Sequence, residues 1–134
     1  MRRRILDSCK LINQWQRCYG RHHGKPSDRD ITRWAKELIE LYETDWIVTP
    51  VAVEVLAGFT RREELKWGER FLSYFRCVDA KNIPPEDWDT AFHLVRWIPH
   101  DKKRRQLGDC LIRAIARRLK CDVETNDRGF PRVT

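Results

Sequence analysis

Four carboxylates stand where a small chain could gather them. Asp7 closes the short apolar run Ile5-Leu6. Glu54 interrupts Pro50-Val51-Ala52-Val53-Glu54-Val55-Leu56-Ala57, which is otherwise wholly apolar. Asp109 opens a helical pattern at the edge of its apolar arc, and Asp127 follows Val123 in Thr125-Asn126-Asp127. An ionised carboxylate against apolar surface costs several kcal/mol unless something pairs with it. Each acid alone has an ordinary explanation. Asp109 could favour a helix N-terminus through the macrodipole, worth about 0.3–1 kcal/mol. Asp7 and Asp127 could close turns, and Glu54 could pair with an arginine. Held together, four carboxylates repel one another, and the usual compensation is a hard divalent cation. Oxygen-only ligation without His or Cys suits Mg²⁺ or Mn²⁺ rather than zinc.

Short β-like runs alternate with helical patterns and would position these acids. Residues 3–6, 46–48, 77–78 and 121–125 read as strands. Ile31, Trp34, Ala35, Leu38, Leu41 and Tyr42 recur at helical spacing after Ser27-Asp28. Thr49 reads as an N-cap with Pro50 at the first helical position, and Gly58 ends that helix. Thr60-Arg61-Arg62-Glu63 reads as a capping box. Pro84-Pro85 opens a helix whose Trp88, Ala91, Phe92 and Val95 share a face, closed by Pro99. A last helix from Asp109 to Lys120 aligns Leu111, Ile112, Ile115, Ala116 and Leu119. This alternation predicts an α/β fold with a parallel sheet covered on both faces. Ligands in such sheets gather outside the carboxyl ends of the strands, where the acids lie.

With 134 residues and 41% hydrophobic composition, residues 1–134 read as one domain with a proper core. Lys+Arg 27 against Asp+Glu 20 leaves a formal charge of +7. No run approaches the ~18 apolar residues of a membrane helix, and Asp7 and Lys10 spoil any signal-peptide core. The expectation is a cytoplasmic protein without membrane contact. Cys9, Cys18, Cys77, Cys110 and Cys121 are odd in number, scattered and without a Cys-x-x-Cys pair, which reads as free thiols. Lys102, Lys103, Arg104 and Arg105 precede the last helix, Arg113 and Arg117 flank Asp109 on it, and Arg128 follows the last acid. These read as phosphate contacts, against a plain solvated face or an Asp109–Arg113 pair one turn apart.

The order and spacing of these stretches resemble the PIN-domain nucleases, and within them the toxins of VapBC-type toxin–antitoxin pairs. The resemblance runs from Ile5 to Phe130. Ile5-Leu6-Asp7-Ser8-Cys9-Lys10-Leu11-Ile12 is similar to the family's opening strand and its Asp-Thr-Asn start. Thr49 to Gly58 is similar to its second motif, with Glu54 in the acidic position. Asp109-Cys110-Leu111-Ile112-Arg113-Ala114 resembles its Asp-x-Leu-Ile-Ala-Ala helix start, with Arg113 in place of an Ala. Thr125-Asn126-Asp127 resembles its closing Thr-x-Asp.

The resemblance implies a three-layer α/β/α sandwich with a mostly parallel central sheet. It implies metal-dependent endonucleolytic cleavage of RNA, with Asp7, Glu54, Asp109 and Asp127 as catalytic, metal-binding acids and Ser8 and Asn126 supporting them. It also implies a homodimer inhibited by a small antitoxin. Two other readings stay open: a PIN-like module that binds RNA without cutting it, and a non-toxin nuclease that processes nucleic acid. Against the first, a pure binder gains nothing from four negative charges beside phosphate.

Overall fold

The computed structural model describes residues 2–96 and 107–126. In chain order the elements are β1 (Arg4–Leu6), α1 (Ser8–Arg21), α2 (Asp28–Tyr42), β2 (Trp46–Ile47), α3 (Thr49–Ala57), α4 (Arg62–Leu72), β3 (Arg76–Cys77), α5 (Pro85–Val95), α6 (Leu107–Leu119) and β4 (Asp122–Glu124).

Among the described residues all strand pairing is parallel. β1 pairs with β4 in the register Ile5 to Val123, and β2 pairs with β3 in the register Ile47 to Cys77. β1 lies beside β2, where the buried Thr44 hydroxyl donates to the Arg4 carbonyl at 2.8 Å. The strands thus form two two-stranded parallel pairs lying side by side, with β1 next to β2, in the order β4-β1-β2-β3. The chain moves outward from β1 through β2 to β3, then returns to β4 on the other side of β1. That reversal puts the topological switch point at the ends of β1 and β4, where crevices form in open parallel sheets. Ile5 and Leu6 have no exposed surface, so two of the three residues of this strand are buried on both faces. The architecture is the expected α/β/α arrangement.

Helix α1 is the element the sequence pattern did not announce. Asp7 caps it, and Leu11, Gln14 and Trp15 form its buried face. A glutamine in that stripe blurs the apolar period; its amide is satisfied by donating to the Trp34 carbonyl at 3.0 Å. Trp15 is 5% exposed and meets the rings of Tyr19, Trp34, Phe59 and Phe71 at centroid distances of 5.5–5.8 Å. Offset and edge-on contacts of this kind tie α1, α2 and α4 into one core. α2 starts as expected: the Ser27 hydroxyl accepts the Asp30 N–H and the Asp30 carboxylate accepts the Ser27 N–H.

Two expected caps are corrected. Residues Thr60–Glu63 form no capping box; α4 begins at Arg62 without a side-chain cap, and Arg61 pairs instead with Glu64. Thr49 does not cap α3, whose N-cap is Val48. The Asp79 carboxylate, from beyond β3, accepts the Thr49 N–H at 2.9 Å and the Thr49 hydroxyl at 2.8 Å. Asp79 is 4% exposed, so a distant acid does the capping. Removing it as Asp79→Ala leaves two donors without their acceptor at the start of the helix that carries Glu54. Urea unfolding is expected to show a loss of about 1–3 kcal/mol.

The face of α5 is also corrected. Asp87, Ala91 and Leu94 are buried, whereas Trp88 and Phe92 are exposed. The periodicity is helical either way, and what fixes the phase is a charge. Asp87 lies inside, with both oxygens 3.0 Å from Nε of Arg118 on α6. Pro99, expected to close this helix, lies outside the described residues.

Candidate active site

Asp7 sits where β1 ends at the switch point. Its N–H donates to the Glu124 carbonyl at 2.9 Å, continuing the β1–β4 ladder one step. Its Oδ1 accepts the Ser8 N–H at 2.8 Å and so caps α1. Its Oδ2 accepts the Thr125 hydroxyl at 2.6 Å, from the residue that follows β4. The carboxylate is thus fixed from both strands that border the crevice. Capping uses one oxygen of a nearly inaccessible acid (3% exposed), so the ordinary turn reading is true of Asp7 without exhausting it.

Ser8 links two elements. Its hydroxyl donates to Glu54 Oε2 at 2.8 Å and stands 3.5 Å from Asp7 Oδ1. Glu54 lies inside α3, and burial is the main cause raising its carboxyl above the ordinary range. The charges of Asp109 and Asp7 push the same way, while the Ser8 hydrogen bond opposes them. Asp109 is in the first turn of α6. Its neighbour Gly108 has no side chain because Glu54 occupies that space: a Cβ there would stand 1.8 Å from Glu54 Oε1. α3 and α6 therefore meet at a carboxylate lodged in a glycine notch.

Three of the four expected acids, Asp7, Glu54 and Asp109, come from three distant stretches of chain and lie close enough for the charges of Asp109 and Asp7 to act on Glu54. Asp127 lies outside the described residues, as do Lys102, Lys103, Arg104, Arg105 and Arg128. Asn126 is exposed, and its side-chain oxygen accepts from Lys10 Nζ. Arg117 is exposed on α6. Arg113 is not on an open face. It is 3% exposed, its Nη1 lies 4.0 Å from Asp7 Oδ2, and it donates to the Asp109 carbonyl at 3.4 Å. The reason is helical geometry: one turn after Asp109, the side chain returns to the same edge of α6.

Thr125, Lys10 and Gly108 belong to this neighbourhood and were not among the expected site residues. Thr125 had a legible signal, being two residues before Asp127 at the end of a strand. Gly108 had one as well, as a glycine in the first turn of a helix where only close packing calls for it. Lys10 had none, since its approach to Asn126 depends on α1, which the pattern did not reveal.

The donor set is all oxygen, which fits Mg²⁺ or Mn²⁺. Among the described residues, no group of three acid, histidine or cysteine side chains is arranged to hold an ion as it stands. Closing Asp7, Glu54 and Asp109 around one would take side-chain rotation, and the Gly108 notch gives Glu54 the room in which it sits. The PIN domain family model matches residues 22–134 of the chain. The chain belongs to the PIN-domain family. That membership places it in a superfamily of nucleases that are generally metal-dependent. The match begins after α1, so Asp7 and Ser8 lie outside it and are tied to Glu54 by the Ser8 hydrogen bonds. No curated protein matches the chain.

The five cysteines of this PIN domain form no disulfide. Burial pushes the thiols of Cys18, Cys77 and Cys121 up, which makes them poor nucleophiles. Among the described residues no helix is long and apolar enough to cross a membrane.

Proposed function

We propose that this PIN domain is a Mg²⁺- or Mn²⁺-dependent endoribonuclease of the cytoplasm and the toxin of a toxin–antitoxin pair. The observation that carries this reading is the meeting of Asp7, Glu54 and Asp109 at the switch point, with Ser8 bridging the first two. These three acids, with Asp127, would hold the ion. When bound, a divalent ion lowers the pKa of water and offsets charge on a phosphoryl group under attack.

The protein's own residues do the positioning. Thr125 and the start of α1 fix Asp7, Ser8 aims Glu54, and the Gly108 notch admits it. Lys10 at the edge of the crevice and Arg117 on α6 offer positive charge to an RNA backbone. Lys102, Lys103, Arg104, Arg105 and Arg128 add to that charge in the sequence, and Asn126 supports Lys10. The toxin role, the homodimer and the small antitoxin that would cover the crevice follow from the family resemblance.

Structured RNA incubated with the protein tests this reading. Cleavage is expected with Mn²⁺ or Mg²⁺ and not in a chelator, and Asp7→Asn and Asp109→Asn each abolish it. RNA binding weakens as salt is raised, through counterion release. Binding without cleavage under every metal condition would support the non-cutting module instead. Undiminished cleavage in a chelator contradicts the proposal.

A further inference from the structure

Arg113 stands in this crevice as a positive charge that needs explaining. Guanidinium groups stay protonated in proteins, so a side chain only 3% exposed brings a permanent charge inside. Such a charge is retained only where it is compensated. That compensation includes Asp7, 4.0 Å away with 4% of its side chain exposed, and the Asp109 carbonyl. Asp7 is also one of the acids that would hold a divalent ion. Asp7 Oδ2 is thus approached by the Thr125 hydroxyl on one side and by the Arg113 guanidinium on another.

We propose that Arg113 is a resident counter-charge of the acidic crevice, holding Asp7 in place before an ion arrives and competing with that ion once it does. Arg113 is a positioning residue that sets how tightly the site takes a divalent cation. The inference rests on the metal-site reading above. Two opposed effects follow. Without metal, Arg113 relieves repulsion among Asp7, Glu54 and Asp109 and so supports the fold. With metal, its field lowers affinity, because two unit charges a few ångströms apart still interact by some kcal/mol in a partly buried site. The same observations explain why Arg113 is a poor candidate for a freely moving phosphate contact: its guanidinium is already committed within the site.

The test uses the full chain and Mn²⁺ alone as probe. Binding is measured calorimetrically, and melting is followed with Mn²⁺ and in a chelator, for wild type, Arg113→Gln and Arg113→Lys. Arg113→Gln keeps a donor for the Asp109 carbonyl but removes the charge; Arg113→Lys keeps the charge. Arg113→Gln is expected to melt lower than wild type in chelator, to recover more on adding Mn²⁺, and to bind Mn²⁺ roughly tenfold more tightly. Arg113→Lys is expected to bind within about threefold of wild type. A merely structural arginine would lower melting in both conditions and leave Mn²⁺ affinity unchanged, and that result overturns the proposal. Should Arg113→Gln fail to fold in chelator, folding restored by Mn²⁺ supports the counter-charge role, and failure in Mn²⁺ as well overturns it. If all three proteins bind Mn²⁺ equally, the metal site stands and the role of Arg113 falls. If none binds it, the metal-site reading falls and takes this one with it.

Discussion

Glu54→Gln is expected to reduce metal-dependent RNA cleavage by roughly 10²–10³-fold, since a catalytic ion contributes several kcal/mol and 1.4 kcal/mol is tenfold. The same substitution is expected to raise the melting temperature of the metal-free protein at neutral pH. The two effects have one cause. Burial, with Asp109 and Asp7 adding to it, lifts the Glu54 carboxyl in the folded chain above its unfolded value. The folded state then holds the proton more tightly than the unfolded state. Its contribution to stability is complete below the unfolded value and disappears as pH rises through the raised value. At neutral pH an ionised Glu54 therefore opposes folding. Gln removes that charge and keeps an oxygen for the Ser8 hydroxyl. Melting curves in chelator should separate the two proteins at neutral pH and bring them together below about pH 4. Equal stability at neutral pH would show that the crevice does not strain Glu54.

Gly108→Ala is expected to damage catalysis about tenfold less than Glu54→Gln while sparing the fold. A Cβ at this position would stand 1.8 Å from Glu54 Oε1 and 2.9 Å from its Cδ. Those atoms are the far end of a flexible side chain, so Glu54 yields and the helices do not. The carboxylate swings out of the notch and releases Ser8. Within α6, Ala is itself the better helix former by about 1 kcal/mol. Urea unfolding should therefore show stability held or slightly raised. Cleavage should fall about 10–100-fold, the usual consequence of displacing a group that orients a metal site. A large stability loss with cleavage intact would mean that the notch serves packing alone.

Much of this architecture is legible in the residues because its signals are local. Ser27 with Asp30, Pro50 after β2, and Pro85 at the start of α5 are short-range chemistry, and the corresponding helices appear where the pattern places them. The four strands are also in place, since Ile5-Leu6 and Trp46-Ile47 have few other ways to be buried. The failures share a different cause, a partner far away in sequence. Gln14 hides the stripe of α1 because its amide is satisfied by Trp34, twenty residues on. Thr49 looks like a cap until Asp79 supplies the oxygen, and Trp88 and Phe92 look like core until the Asp87–Arg118 pair fixes the phase of α5.

The site divides the same way. Asp7 and Asp109 stand out as acids at a strand end and a helix start, and Glu54 as the one acid of a largely apolar helix. What the sequence could not convey is the arrangement among them: the Ser8 bridge, the Thr125 hydroxyl on Asp7 and the Gly108 notch. Arg113 is the sharpest case. On helical spacing it is one more basic residue flanking Asp109, and only the packing of α6 against α3 and β4 brings it to Asp7.

A crystal grown with Mn²⁺, with anomalous differences recorded at the manganese edge, tests the central claim most directly. The expected result is a peak within coordination distance of carboxylate oxygens from Asp7 and Asp109, with Glu54 turned toward it directly or through water. Manganese bound only elsewhere on the chain, with the Asp7–Arg113 pair and the Glu54–Ser8 bond undisturbed, would contradict it.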